Sequence, residues 1–291
     1  MDSHKEYYSK YKLAMQIGII GNGFVGHALH EGFKYHHEVC VYDSNPNRTI
    51  DTLRDINNLN LIFVCVPTPM SLSGKIETSI LKSVLNKLKK DKIVVIKSTI
   101  TPAAAQEIIK EYPDQYFVFN PEFLTERTAV EDFKNPSRIV LGGETEAVAV
   151  VKSMYFSIFP EVEYIETDAK TACFIKYMSN CFSAIKISAM NEFRQIADKD
   201  GIDWGQALKG FLASGWVNSM HTMVPGPDGK LGFGGKCFPK DINAVIAYAE
   251  SISINSVMLK ASWEKNLEVR QEKDWLKIPG AVSFTSKESQ S

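Results

Sequence analysis

Short, continuous apolar runs recur through the first half of the chain, and helical patterns separate several of them. Runs of this kind suit strands that are buried on both faces of a parallel sheet. Their alternation with helices over roughly 130 residues predicts an α/β fold built on a doubly wound parallel sheet. Strands are expected at 15–20, 38–42, 61–67, 93–98, 116–119 and 138–141, and helices at 25–35, 81–90 and 103–112.

The alternation stops near Asp168, where the 32 residues 168–199 contain neither Gly nor Pro. Their apolar positions keep helical spacing until Gly201, so the stretch predicts one long connecting helix, about three times the average length. Further helices at 204–214, 242–251 and 256–277 make the rest an all-α substrate and dimerisation domain. The two ends, 1–14 and 279–291, are expected to be a disordered leader and a disordered tail.

Composition excludes several classes of protein. The 33 Lys+Arg and 34 Asp+Glu give a net charge of -1, so the chain offers no basic surface for nucleic acid or an anionic membrane. No uncharged apolar run approaches the ~20 residues of a membrane span. The five cysteines lack the spacing of a disulfide framework or a metal site, so we expect no metal and a reducing, cytoplasmic location. The 291 residues suffice for two domains.

A glycine-rich turn follows the first expected strand and opens the first expected helix. In such a turn the glycines allow a tight bend, close approach of a pyrophosphate, and close packing of helix on strand. Asp43 ends the next strand, where a carboxylate can bond the adenosine ribose and favours NAD over NADP. Arg48 leaves room for NADP, and a purely structural turn is the alternative. The expected phosphate loop is Gly21-Asn22-Gly23-Phe24-Val25-Gly26, within a Rossmann-type domain over 15–167.

A second glycine-rich stretch, 232–241, contains Cys237. The thiol is expected at the start of a helix and beside Lys236 and Lys240, which favours a thiolate. Asp241 would lie on the same helical face, four residues further on. A thiolate can trap an aldehyde as a thiohemiacetal, and a second hydride transfer then gives a thioester that water opens to a carboxylate. The alternative for a lone cysteine, a small buried hydrophobe, is assigned to Cys40, Cys65 and Cys181.

Seven motifs together resemble the UDP-glucose/GDP-mannose dehydrogenase family over about residues 15–278. The resemblance implies NAD as cofactor and oxidation of a nucleotide sugar at C6, with UDP-glucose and two NAD⁺ giving UDP-glucuronate. It also implies a homodimer through the long helix; a helix buried between two lobes of one chain is the alternative. The motifs are GIIGNGFVG (18–26), VPTP (66–69), KSTI (97–100), NPEFLTE (120–126), IKYMSN (175–180), NEF (191–193) and GFGGKCFPKD (232–241).

The resemblance also implies roles for individual residues. Cys237 would be the nucleophile, Lys176 would stabilise the oxyanion, and Asn180 would orient the sugar. Glu122 would activate water, Thr99 would hold a water or the reacting oxygen, and Asp241 would pair with Lys176 or assist proton transfer. Further cofactor contacts would be Val66, Pro67, Thr68, Thr99 and Glu126, and further substrate contacts Phe123, Leu124, His221, Phe233, Gly234 and Gly235.

The residues alone leave some of these roles open. Lys176 and Asn180 share a helical face, but Lys176 could equally extend along an apolar surface into solvent. Glu122 and Glu126 could be solvated loop acids.

The chain departs from the family pattern in three places. It ends soon after the cysteine loop, which predicts a short form without the C-terminal UDP-binding domain. No Arg lies between Arg194 and Arg270, so His221 or Lys230 is the candidate replacement for a substrate-binding arginine. Cys173 stands where the family carries an acid.

Two other functions remain open: a β-hydroxyacid dehydrogenase that uses Lys176, and a non-catalytic NAD-binding subunit that depends on a partner.

Overall fold

The computed structural model describes residues 14–283, and the chain divides into two compact units. The first unit contains the chain up to Thr68 and residues 78–176, and the second contains residues 69–77 and the chain from Tyr177 onward. Helix α7 (Ala169–Asp200) contributes its first eight residues to the first unit and the remainder to the second. The expected leader lies outside the described residues except for Ala14, as do residues 284–291 of the expected tail.

The first unit is built on one seven-stranded sheet in the order β2-β1-β3-β4-β5-β6-β7. The expected doubly wound parallel sheet is confirmed except for the β5–β6 pair, which is antiparallel. The order reverses at β1, whose two neighbours are β2 and β3, and ligands of such sheets bind at the carboxyl ends of the strands beside that reversal. The strands are β1 (Gln16–Ile20), β2 (Glu38–Tyr42), β3 (Leu61–Val64), β4 (Ile93–Ile96), β5 (Tyr116–Phe119), β6 (Arg138–Gly143) and β7 (Glu163–Thr167).

Six helices accompany the sheet, and two of them show why expected and observed bounds differ. Helix α4 begins at Pro102 because Thr101 caps it, accepting the Ala104 N–H at 3.3 Å. Helix α3 ends at Leu85 rather than 90, because the Asn57 side chain accepts the Lys89 N–H at 2.8 Å and draws the chain out of the helix. The helices are α1 (Phe24–Phe33), α2 (Leu53–Ile56), α3 (Ser79–Leu85), α4 (Pro102–Glu111), α5 (Ala129–Lys134) and α6 (Thr145–Phe156).

The second unit is helical, as predicted. Its helices after α7 are α8 (Trp204–Leu212), α9 (Phe238–Ser251) and α10 (Val257–Val269). The expected helix 256–277 is wrong beyond Val269, because the chain turns extended at Arg270, which buries its side chain against Asp228 and Asp274. Within residues 14–283, no helix is both long and apolar enough to cross a membrane.

The described part of the expected tail, 279–283, packs within the second unit. The Met70 N–H donates to the Ala281 carbonyl at 3.0 Å, and the Ser283 N–H donates to the Met70 carbonyl at 2.8 Å. Ala281 is buried in a small cluster with Met70 and Trp275. The prediction of a disordered tail from residue 279 is therefore wrong as far as Ser283. The polar composition of the tail did not indicate that its backbone would form hydrogen bonds with Met70.

Candidate active-site residues

The phosphate loop requires glycine at two of its three glycine positions. Gly21 has φ +93°, a left-handed conformation, and a Cβ there would lie 2.8 Å from the Cys65 carbonyl oxygen. A Cβ on Gly26 would lie 1.9 Å from the Gly21 carbonyl oxygen, so the helix can pack on the strand only without a side chain. Gly23 differs, because a Cβ there meets no atom within 4 Å. Its missing side chain leaves open space at the start of helix α1.

The expected ribose acid, Asp43, lies beside this loop. One carboxylate oxygen accepts the Asn22 N–H at 2.6 Å, and the other accepts the Asn45 N–H at 2.8 Å. The Asn22 side chain donates to the Arg48 carbonyl at 2.7 Å, whereas its own Oδ1 is buried and lacks a hydrogen-bond partner within residues 14–283. No side chain caps the first turn of helix α1. Free helix N–H groups, an open glycine and an anchored carboxylate fit a dinucleotide.

The expected cofactor contacts after strands β3 and β4 are tied to one another. The Ser98 hydroxyl donates to the Val66 carbonyl at 2.6 Å, and the Thr68 hydroxyl donates to the Thr99 carbonyl at 2.7 Å. Pro67 is exposed between them. These residues follow β3 and β4, which run parallel to β1, so they lie at the same sheet edge as the phosphate loop. Glu126 is exposed at the start of a short 3₁₀ turn, Glu126–Thr128.

Glu122 and Lys176 form a buried ion pair in the first unit. The Glu122 Oε1 and Lys176 Nζ atoms are 3.1 Å apart, and both side chains are more than 90% buried. The other Glu122 oxygen accepts the Leu124 N–H at 2.7 Å. The Phe123 ring contacts the Lys176 ammonium at 5.4 Å and the Arg138 guanidinium at 4.0 Å. Glu122 is therefore not a solvated loop acid, and Lys176 does not extend into solvent.

A buried lysine next to this pair was not among the expected site residues. Lys97 directly follows strand β4, and its ammonium donates to the Asn120 side-chain oxygen at 3.0 Å. The Tyr155 hydroxyl donates to the same oxygen at 2.7 Å. Burial lowers the pKa of Lys97 to about 8. The signal in the sequence was a lysine directly after the apolar run IVVI, a position where a solvated lysine is also common.

In the second unit, the cysteine loop ends where helix α9 begins. Cys237 is the residue preceding the first turn of α9, and Pro239 occupies that turn, as predicted. The Asn266 side chain accepts the Phe233 N–H at 2.6 Å and donates to the Phe233 carbonyl at 3.0 Å. Asp274 accepts the Gly235 N–H at 3.1 Å. These contacts fix the backbone that leads to the thiol.

Asp241 has two partners within the second unit, and its expected pairing with Lys176 stays a prediction. Its carboxylate accepts from the Lys240 ammonium at 2.5 Å and from the Asn180 side-chain amide at 2.5 Å, and it is buried. The Lys240 ammonium, which was expected beside the Cys237 thiol, is paired with the Asp241 carboxylate, and its effect on the thiol stays a prediction.

The expected substrate contacts of the second unit do not all offer a side chain. Phe233 is buried between Phe238 and Trp263, so only its backbone could contact a substrate, and its place among the substrate contacts stays a prediction. His221 is half-buried, and its ring lies edge-on to that of Phe238, with 5.3 Å between the ring centroids. Phe238 is the residue that follows Cys237. Burial and the nearby Lys186 lower the pKa of His221, which favours the neutral form of its ring. Lys230, the other candidate, is paired with Glu272.

Burial keeps the four other thiols protonated. It raises the pKa of Cys65 and of Cys173 to about 12, and it also raises the pKa values of Cys40 and Cys181. None of these four is therefore suited to be a nucleophile at neutral pH.

Within residues 14–283, one group of side chains could converge on a metal ion: His27, His30 and Glu31 on helix α1. The Lys34 ammonium contacts both carboxylate oxygens of Glu31 at 2.7 Å, so a cation already compensates that charge.

Two parts of the chain match domains of one family. Residues 47–159 match the NAD binding domain of the UDP-glucose/GDP-mannose dehydrogenase family, and residues 170–268 match its central domain.

Curated relatives carry the same family name. The UDP-glucose 6-dehydrogenase of Rickettsia bellii is 35% identical over 224 residues, which are 74% of this chain and 50% of that protein. That of Rickettsia prowazekii is 33% identical over 299 residues, covering 87% of this chain and 67% of that protein. The chain spans about half the length of the first of these relatives.

Solved structures share the fold. A UDP-glucose dehydrogenase from Pyrobaculum islandicum superposes with a TM-score of 0.79 at 24% identity, covering 88% of this chain and 69% of that chain. A 3-hydroxyisobutyrate dehydrogenase from Mycobacterium tuberculosis superposes with a TM-score of 0.70 at 15% identity, covering 88% and 94%. At these identities both likenesses show the fold alone.

Proposed function

The chain belongs to the UDP-glucose/GDP-mannose dehydrogenase family, and from that premise we propose that it oxidises the C6 alcohol of a nucleotide sugar to the carboxylate. UDP-glucose is the favoured substrate, with two NAD⁺ and one water consumed and UDP-glucuronate formed. The observation that carries the proposal is Cys237, which precedes the first turn of α9 at the end of a clamped loop. Among the five cysteines, the other four are kept protonated by burial.

NAD, when bound, accepts the hydride of each oxidation. The phosphate loop, Gly21–Gly26, would hold the pyrophosphate at the start of helix α1, and Asp43 would accept hydrogen bonds from the adenosine ribose. Thr68 and Thr99, which are hydrogen-bonded to each other, would hold the reacting end at the same sheet edge. Dinucleotides bind at this edge in doubly wound sheets.

Cys237 would supply the covalent step. The alcohol loses a hydride and a proton to become an aldehyde. The thiolate sulfur then forms a C–S bond to the aldehyde carbon, and the carbonyl oxygen takes a proton, which gives a thiohemiacetal. Loss of a second hydride and the hydroxyl proton gives the thioester. Attack by water breaks the C–S bond, releases the carboxylate and regenerates the thiolate.

The Glu122–Lys176 pair would serve the oxygens in these steps. The Lys176 ammonium offsets negative charge on the oxygen as the carbon is attacked, and it acts strongly because it is buried. The Glu122 carboxylate takes a proton from the water that opens the thioester.

Asn180 and Asp241 would position the sugar. The Asp241 carboxylate fixes the Asn180 amide by accepting one of its N–H groups, and it is itself fixed by Lys240. The remaining N–H and the carbonyl oxygen of Asn180 are then available to sugar hydroxyls.

A substrate panel tests this function. The purified chain is mixed with NAD and with UDP-sugars, GDP-sugars or small β-hydroxyacids, and NADH absorbance is followed. We expect reduction with a nucleotide sugar and none with hydroxyacids. Reduction with a hydroxyacid alone favours the class to which the 3-hydroxyisobutyrate dehydrogenase belongs, whose fold is similar. NAD binding without reduction of any compound favours the non-catalytic subunit.

We also propose that helix α7 forms a homodimer. Its large apolar side chains Phe174, Met178 and Phe182 recur every fourth residue and are 45%, 55% and 71% exposed, a stripe that a second copy could cover. Phe182→Glu is expected to halve the mass measured by light scattering at micromolar protein, whereas Lys199→Glu, at the exposed end of the helix, leaves it unchanged. A monomeric mass for the unmodified chain contradicts the dimer.

A further inference from the structure

Lys97 is a buried cation to which the proposed reaction gives no task. It is 6% exposed at the carboxyl end of β4. Its ammonium has three N–H groups, and within the described residues one hydrogen bond, to Asn120, satisfies one of them. A buried ammonium with so few partners is costly to maintain. A hydrophobic residue would fill the same place at a lower desolvation cost, so stability alone does not account for a charge there.

The position of Lys97 connects it to the Glu122–Lys176 pair. Asn120, its hydrogen-bond partner, is two residues before Glu122 and also donates to the Val140 carbonyl at 2.8 Å. The segment 120–122 is therefore held from three sides, by Lys97, by Tyr155 and by strand β6. Moving the Lys97 ammonium would move the backbone that carries the carboxylate.

Charge connects the same groups. Burial is the main cause of the low pKa of Lys97; nearby Glu122 opposes it, and nearby Lys176 adds to it. Two further titratable groups beside it are neutral, because burial raises the pKa of the Cys65 thiol to about 12 and that of Tyr155 above its usual value. The charged groups are Glu122, Lys97 and Lys176, with the Arg138 guanidinium on the Phe123 ring that also contacts Lys176.

We propose that Lys97 is a positioning residue of the Glu122–Lys176 pair: it holds the 120–122 segment through Asn120 and adds a second positive charge beside the carboxylate. The role deepens the proposed function and rests on it. A second cation stabilises the negative charge of Glu122 and repels the Lys176 ammonium, so removing it acts on both groups.

The pH profile separates this role from a merely structural one. Lys97→Met removes the charge, so the Glu122 carboxylate loses support and the Lys176 ammonium loses a repelling neighbour. Both limbs of the kcat/KM profile are expected to move to higher pH, by about one unit. Lys97→Arg keeps the charge and should restore the original limbs. Asn120 retains the Tyr155 hydroxyl as a donor in either variant, which favours normal folding.

Lys92 provides a matched control. It is a second buried lysine at the opposite end of β4, and its ammonium also contacts an asparagine oxygen, that of Asn60 at 3.3 Å. Lys92→Met should leave both limbs in place. The proposal would be overturned if Lys97→Met lowered kcat/KM without shifting either limb of its pH profile.

A second measurement does not depend on turnover. The side-chain carbon next to the Lys97 amine is titrated by NMR in the free protein, where a midpoint near 8 is expected. Glu122→Gln should lower this midpoint and Lys176→Met should raise it, whereas Lys92→Met should not change it. Equal midpoints in all four proteins would overturn the proposal. If these shifts are seen but no nucleotide sugar is oxidised, the proposed function fails while the electrostatic coupling stands.

Discussion

Replacing Cys237 by alanine is expected to lower the rate of acid formation by a factor of about a thousand or more. Without the sulfur, the aldehyde has no covalent partner, so neither the thiohemiacetal nor the thioester can form. The measurement is the amount of UDP-glucuronate formed from UDP-glucose and NAD. NAD affinity should be unchanged, because Cys237 is not among the proposed cofactor contacts.

Cys40→Ala is the matched control. Cys40 is half-buried on strand β2, and burial keeps its thiol protonated. The same chemical change there should leave acid formation within about twofold of the unmodified protein. Full activity in Cys237→Ala would contradict the covalent route and favour a two-electron β-hydroxyacid dehydrogenase.

Alanine at two glycines of the phosphate loop is expected to have opposite effects. Gly26→Ala places a methyl group 1.9 Å from the Gly21 carbonyl oxygen, so backbone must shift. We expect the free energy of unfolding to fall by on the order of 2 kcal/mol or more. Gly23→Ala meets no protein atom within 4 Å, so stability should change by less than about 0.5 kcal/mol.

The NAD affinity of Gly23→Ala, unlike its stability, is expected to change. Gly23→Ala should weaken NAD binding by about tenfold or more, because the methyl group occupies the space through which a pyrophosphate approaches the backbone. Chemical denaturation and NAD titration of both variants check the pair. A stable Gly23→Ala protein with unchanged NAD affinity would contradict the placement of the cofactor on this loop.

The sheet was predictable because its central strands are buried on both faces. LIFV and IVVI stand out as apolar runs, and β3 and β4 lie within the expected ranges. Strand β7, EYIET, was not expected, because it is an edge strand whose residues are half-buried or exposed and therefore form no apolar run. A continuous apolar run in the sequence therefore predicts the central strands of the sheet but not its edge strand.

The contacts among site residues were less predictable than their identities. Glu122 and Lys176 were both expected in the site, but their ion pair depends on how β5 and α7 pack, which no local pattern records. Lys240 shows the same limit: it was expected near the Cys237 thiol, and nothing in the sequence indicated its ion pair with Asp241. Lys97 was not predicted as a site residue, because a lysine after a strand is usually solvated.

The ratio of NADH formed to nucleotide sugar consumed tests the proposed chemistry most directly. The purified chain is supplied with UDP-glucose and excess NAD, and absorbance is compared with the quantities of sugar and acid at completion. The covalent route through Cys237 predicts about two NADH for each UDP-glucose, with UDP-glucuronate as the product and no free aldehyde. One NADH for each sugar, with aldehyde as the final product, would contradict it.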